Sequence, residues 1–78
     1  MHNTIQELAG NIADKAGVGF WVSTKIEGDG EQGYKVRISW AKGFEYYYCN
    51  VFNWKAATEL AASVIRALSA EGLLVRAL

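Results

Sequence analysis

The chain reads as a small α+β domain of order α-β-β-β-α, a three-stranded antiparallel sheet with two helices packed on one face. Apolar residues recur at helical spacing near both ends, whereas the middle alternates with a period of two. Two polar, glycine-bearing turns, Glu27 to Gly33 and Lys42-Gly43, divide that middle into three runs. Each helix has one apolar stripe and the strands have one good apolar face. Stacking both helices on one side of the sheet is the economical burial. The other sheet face then meets solvent, which antiparallel sheets tolerate.

Thr4-Ile5-Gln6-Glu7 has the form of a capping box. Ile5, Leu8, Ala9, Ile12 and Ala16 follow at helical spacing, and Gly17 is a natural stop, so a helix is expected over 4–16. From Val18 the period becomes two. Phe20, Val22 and Ile26 alternate with Trp21, Ser23 and Lys25. After the hairpin loop, Tyr34, Val36, Ile38 and Trp40 alternate with Lys35, Arg37 and Ser39. Lys42-Gly43 is read as a tight turn, and Phe44 to about Phe52 as a third strand. Asn53 is a good N-cap for a last helix with the stripe Ala57, Leu60, Ala61, Val64 and Leu68, ended by Gly72. The tail Leu73-Leu74-Val75-Arg76-Ala77-Leu78 is too apolar for a pure solvent tail. It packs back on the sheet, adds a short strand or joins a second copy.

Seventy-eight residues make one domain. The one cysteine, Cys49, excludes an intrachain disulfide and fits a reducing cytoplasm. The one histidine, His2, lies in the terminus, so no Cys/His cluster exists and no metal or other cofactor is expected. The Glu27 to Gly33 loop lies between strands and has too few carboxylates for a calcium loop. No run is apolar enough to span a membrane, and the N-terminus lacks a signal-peptide pattern. Eight basic and eight acidic residues give zero net charge, which makes a protein partner a better expectation than nucleic acid. An enzyme is not expected. Asp14, Glu45, Glu59 and Glu71 are scattered, Cys49 is expected to be buried, and no phosphate-binding glycine loop is present.

Every aromatic residue except Phe20 and Trp21 lies between Tyr34 and Trp54, and Tyr46-Tyr47-Tyr48 are consecutive. Neighbouring side chains on a strand point to opposite faces, so these three rings cannot all enter a one-sided core. The turn at Lys42-Gly43 decides which face each takes. With two residues in the turn, Ile38 faces Tyr47 and Val36 faces Cys49. Trp21, Lys25, Lys35, Arg37, Tyr46 and Tyr48 then share the open face. With three, Trp40 faces Phe44, and Tyr46 and Tyr48 turn inward. The first register is preferred because it buries the thiol.

The α-β-β-β-α order over about residues 4–68, with the alanine-rich segment Lys55-Ala56-Ala57-Thr58-Glu59-Leu60-Ala61-Ala62, resembles the double-stranded-RNA-binding domain. That resemblance implies binding of A-form RNA through the first helix, the first hairpin loop and a lysine cluster at the start of the last helix. Here the loop carries Glu27, Asp29 and Glu31, and the helix begins Asn53-Trp54-Lys55-Ala56 with a single lysine. By type, a very short chain with no catalytic set and an aromatic face resembles the small phage-encoded anti-CRISPR inhibitors. These cover a site on a host effector complex. The leading expectation is therefore a non-enzymatic protein-binding inhibitor acting in the host cytoplasm. Trp21, Tyr46 and Tyr48 would be its anchors, and Lys25, Lys35 and Arg37 would steer the approach. An acidic surface of Glu27, Asp29 and Glu31 is the contact if the partner is basic. A duplex-RNA module and a structural homodimer are the alternatives.

Overall fold

A computed structural model describes residues 4–78; His2 lies outside them. The elements are α1 (Ile5–Ala16), β1 (Trp21–Asp29), β2 (Gly33–Trp40), β3 (Gly43–Tyr48), α2 (Trp54–Ala70) and β4 (Leu74–Ala77). The α+β class holds, but the sheet is not three-stranded and antiparallel. It has four strands in the order β3-β2-β1-β4, and β4 runs parallel to β1. Of the three fates open to the tail, it takes the strand. Because β1, β2 and β3 form an antiparallel meander, β3 and β4 point the same way on opposite edges. α2 is the crossover that such a parallel connection requires.

The helix ends follow from local chemistry. Thr4 Oγ1 accepts from the Glu7 N–H at 3.0 Å, and Asn53 Oδ1 accepts from the Ala56 N–H at 2.8 Å. At the end of α2 the Gly72 N–H reaches the Ser69 carbonyl at 3.0 Å, and the Leu73 N–H reaches that of Leu68 at 3.3 Å. This is the paired C-terminal closure in which a residue with positive φ turns the chain. Gly72 has φ +89, and a Cβ there would lie 2.8 Å from Val18 Cγ1. The closure drops Leu73, 4% exposed, into the core and launches β4.

Both helices pack on one face of the sheet. Leu8 and Ile12 of α1, Val22, Val36 and Ile38 of the sheet, and Val64 and Leu68 of α2 are fully buried together. Each such side chain contributes about 1.5–3 kcal/mol on removal from water. Thr24 is buried among them, and its hydroxyl donates to the Arg76 carbonyl at 3.4 Å, which ties β1 to β4.

Three sequence expectations need correction. The first strand starts at Trp21, not at Val18. A tight turn, with the Phe20 N–H on the Gly17 carbonyl at 3.1 Å, leaves Phe20 outside the core and 66% exposed. The third strand ends at Tyr48, short of Phe52. Tyr34 accepts from the Cys49 N–H and donates to the Val51 carbonyl, with Asn50 between them at φ 54, a bulge that ends regular pairing.

The third correction is the β2–β3 register. Trp40 pairs with Gly43, Val36 with Tyr47 and Ile38 with Glu45, so the turn residues are Ala41-Lys42. The partners are shifted by two residues from the preferred register. A shift of two leaves every side chain on its own face. Gly43 is not needed for a positive φ; it lies under the Trp40 ring, and a Cβ there would be 3.5 Å from Cζ2.

Candidate functional site: the open sheet face

The face away from the helices is built by alternation. Phe44, Tyr46 and Tyr48 project from β3, Lys35, Arg37 and Ser39 from β2, Trp21, Ser23, Lys25 and Glu27 from β1, and Leu74 and Arg76 from β4. The structure thus gathers Trp21, Lys25, Lys35, Arg37, Tyr46 and Tyr48 on one surface. Tyr47 turns to the helices and is half-buried, and Cys49 is buried.

The rings of β3 form a ladder. Phe44 meets Tyr46 edge-on at 5.7 Å between centroids, and Tyr46 meets Tyr48 at 5.8 Å. Cations lie on these rings: Lys35 Nζ 4.8 Å from the Tyr46 centroid and the Arg37 guanidinium 4.5 Å from that of Phe44. At the other edge the Arg76 guanidinium lies 4.9 Å from the Trp21 ring. Exposed contacts of this kind contribute about 0.5–1 kcal/mol each and hold flexible cations in place. Trp21, Phe44 and Tyr48 remain 54%, 55% and 70% exposed, whereas Tyr46 is half-buried in the middle of the ladder. The Tyr46 hydroxyl donates to Glu27 Oε1 at 3.1 Å, and Arg37 Nη1 lies 4.0 Å from Glu27 Oε2.

The three acidic residues of the first hairpin are held in different ways. Glu27 is bound into the sheet face. Asp29 Oδ1 accepts from the N–H groups of Glu31 and Gln32, at 2.9 and 2.7 Å, and is consumed by the turn. Glu31 alone of the three projects from the loop without such a fixed role.

Phe44, Leu74 and Arg76 belong to the face but were not singled out from the sequence. Phe44 shares the parity of Tyr46 and Tyr48, so its place was readable. Leu74 and Arg76 reach the face only through β4. A second exposed aromatic group lies beyond the bulge, where Trp54 is 58% exposed and stands edge-on to Tyr34 at 5.9 Å. That contact braces the start of α2.

On the helix side, Lys15 Nζ lies 3.6 Å from Glu45 Oε2. An open groove between α1 and α2 is lined by Gln6, Ser63, Arg66, Ala67, Ala70 and Glu71, and has no nucleophile paired with a base. Among the described residues, no group of three or more His, Cys, Asp or Glu side chains could hold a metal ion, and no helix is long and apolar enough to cross a membrane. Burial pushes the Cys49 thiol above its ordinary value, with a backbone hydrogen bond at Val36 offsetting part of the rise.

Fold and face together define a small α+β domain with an open aromatic and cationic sheet surface. Comparison with family models, curated proteins and solved structures finds no match.

Proposed function

We propose that the chain is a non-enzymatic binding domain that seats a protein partner on its open sheet face. In its most concrete form it is a phage-type inhibitor, similar in kind to the anti-CRISPR proteins, that covers an interaction surface of a host defence complex in the host cytoplasm. The observation that carries the reading is the set of exposed rings, Trp21, Phe44 and Tyr48, held by cations on a rigid sheet. Aromatic and arginine side chains on a firm scaffold are the usual anchors of protein interfaces.

The sheet edges support a face-on mode. β4 is four residues long, and β3 turns the charged Glu45 inward and ends in a bulge. Short strands, inward charges and bulges all discourage pairing with another strand. The duplex-RNA alternative relies on α1, the first hairpin loop and the start of α2. α1 presents Glu7, Asp14 and Lys15, the hairpin loop presents Glu31, and the start of α2 presents one lysine, Lys55, so acidic side chains interrupt any phosphate track there.

The inhibitor reading is tested by phage plating on bacteria with active CRISPR immunity against that phage. Expression of the chain is expected to restore plating, and a folded Trp21→Ala/Tyr48→Ala variant is expected not to. Unrestored plating across hosts carrying the major effector types overturns the inhibitor. Duplex-RNA binding at micromolar concentration with a steep salt dependence replaces it with the RNA module.

A further inference from the structure

The open face is chemically uneven in a way that specifies its partner. Of the eight basic side chains, Lys25, Lys35, Arg37 and Arg76 stand on it. Its acidic members are Glu27 and Asp29, both at the hairpin end and both engaged, one by Tyr46 and Arg37, the other by the turn. Arg37 alone of the four lies within ion-pair distance of one of these carboxylates, at 4.0 Å, and basic side chains outnumber acidic ones across the centre and the β4 side. The balancing acids, Glu7, Asp14, Glu31, Glu45, Glu59 and Glu71, lie on the helices, the hairpin turn and the helix-facing side of β3.

The middle of the face has a low floor. One cross-strand row runs Phe44, Ser39, Ser23, Arg76. The two serines are small and half-buried, and larger groups flank them. Lys25 and Arg37, paired across the strands, border the floor on one side, and Trp21 borders it on the other. Among the described residues, the Arg37 guanidinium meets Glu27 at 4.0 Å and the Phe44 ring, and its buried Nε has no hydrogen-bond partner. A guanidinium is best satisfied by a carboxylate or phosphate received on two donors.

We infer that the partner segment on this face is an acidic polypeptide surface, which seats a carboxylate side chain over the Ser23–Ser39 floor between Arg37 and Arg76 and lays apolar groups on Trp21, Leu74 and Tyr48. The inference rests on the sheet-face reading above and names the chemistry of its partner. Polypeptide is favoured over nucleic acid by two observations. The Glu27 carboxylate is fixed in the face and repels a phosphate track. Leu74, 45% exposed, offers an aliphatic contact that a protein surface uses and a phosphate backbone does not.

The test is nuclear magnetic resonance titration of the full chain with three probes: a short peptide alternating glutamate and leucine, its glutamine counterpart, and a poly-dT oligonucleotide. The glutamate peptide is expected to shift the amides of Ser23, Lys25, Arg37, Ser39 and Arg76 and to bind about tenfold more tightly than the glutamine peptide. An Arg37→Gln/Arg76→Gln variant is expected to erase that preference while keeping its dispersed spectrum. Equal binding of the two peptides, or no shift with the glutamate peptide at millimolar concentration, overturns the acidic-partner assignment. Tighter binding of poly-dT through the same amides overturns it in favour of nucleic acid and leaves the sheet face as the site. Shifts confined to the helices or the hairpin loop overturn the sheet-face reading itself.

Discussion

Tyr46 shows how one residue can be part scaffold and part site. Its ring carries Lys35 and touches Phe44 and Tyr48, while its hydroxyl donates to Glu27 and fixes that carboxylate on the face. Tyr46→Phe is expected to cost about 0.5–1.5 kcal/mol, read as a lower urea midpoint; an unchanged midpoint would show that the bond contributes nothing. Cys49 illustrates the opposite case, a chemical group taken out of use by packing. The folded state favours the neutral thiol, so its share of stability is present below the unfolded thiol value of about 8.5 and fades as pH rises above it. Alkylation at neutral pH is expected to be much slower in the folded than in the urea-unfolded chain. Equal rates would contradict the burial.

Among the elements, the two hairpins use their glycines differently. Gly28 has φ +112, and a Cβ there would lie 2.2 Å from the Gly33 carbonyl oxygen, so Gly28→Ala is expected to lower the urea midpoint sharply. Gly43 lacks a positive φ and has ordinary room, so Gly43→Ala is expected to be neutral or stabilising by about 0.4–1 kcal/mol. A large loss there would place the turn at Lys42-Gly43 instead. The faces of Tyr46, Tyr47 and Tyr48 were legible in the sequence because they depend on register parity alone. The exact pairing was not, because alternation decides the face of each side chain and not its partner, so two-residue turns at 41–42 and 42–43 present the same faces. β4 was legible only as one of three fates for the tail. Leu74 to Ala77 pairs with residues more than fifty positions away, and only the closure at Gly72 aims it there. Removing residues 74–78 is expected to strip the Thr24 hydroxyl of its acceptor and lower the midpoint. An unchanged midpoint with a lost dimer would instead assign the tail to a second copy.

For the molecule as a whole, zero net charge hides an uneven distribution, with half of the basic side chains gathered on the open face. Composition could not report this, because charge placement depends on which strand residues face outward and on where the tail docks. The same placement opposes self-association through that face, since two copies would bring Lys25, Arg37 and Arg76 against their own kind. Light scattering on a dilution series is expected to show a monomer, and a dimer abolished by Tyr48→Ala would contradict this. The most direct test of the central claim is calorimetric titration of the purified binding partner with single variants of the chain. Trp21→Ala and Tyr48→Ala are each expected to lose about 1–3 kcal/mol of affinity while Glu31→Lys leaves it unchanged. Full affinity in both alanine variants, with binding lost in Glu31→Lys, would place the working surface on the hairpin loop and contradict the account.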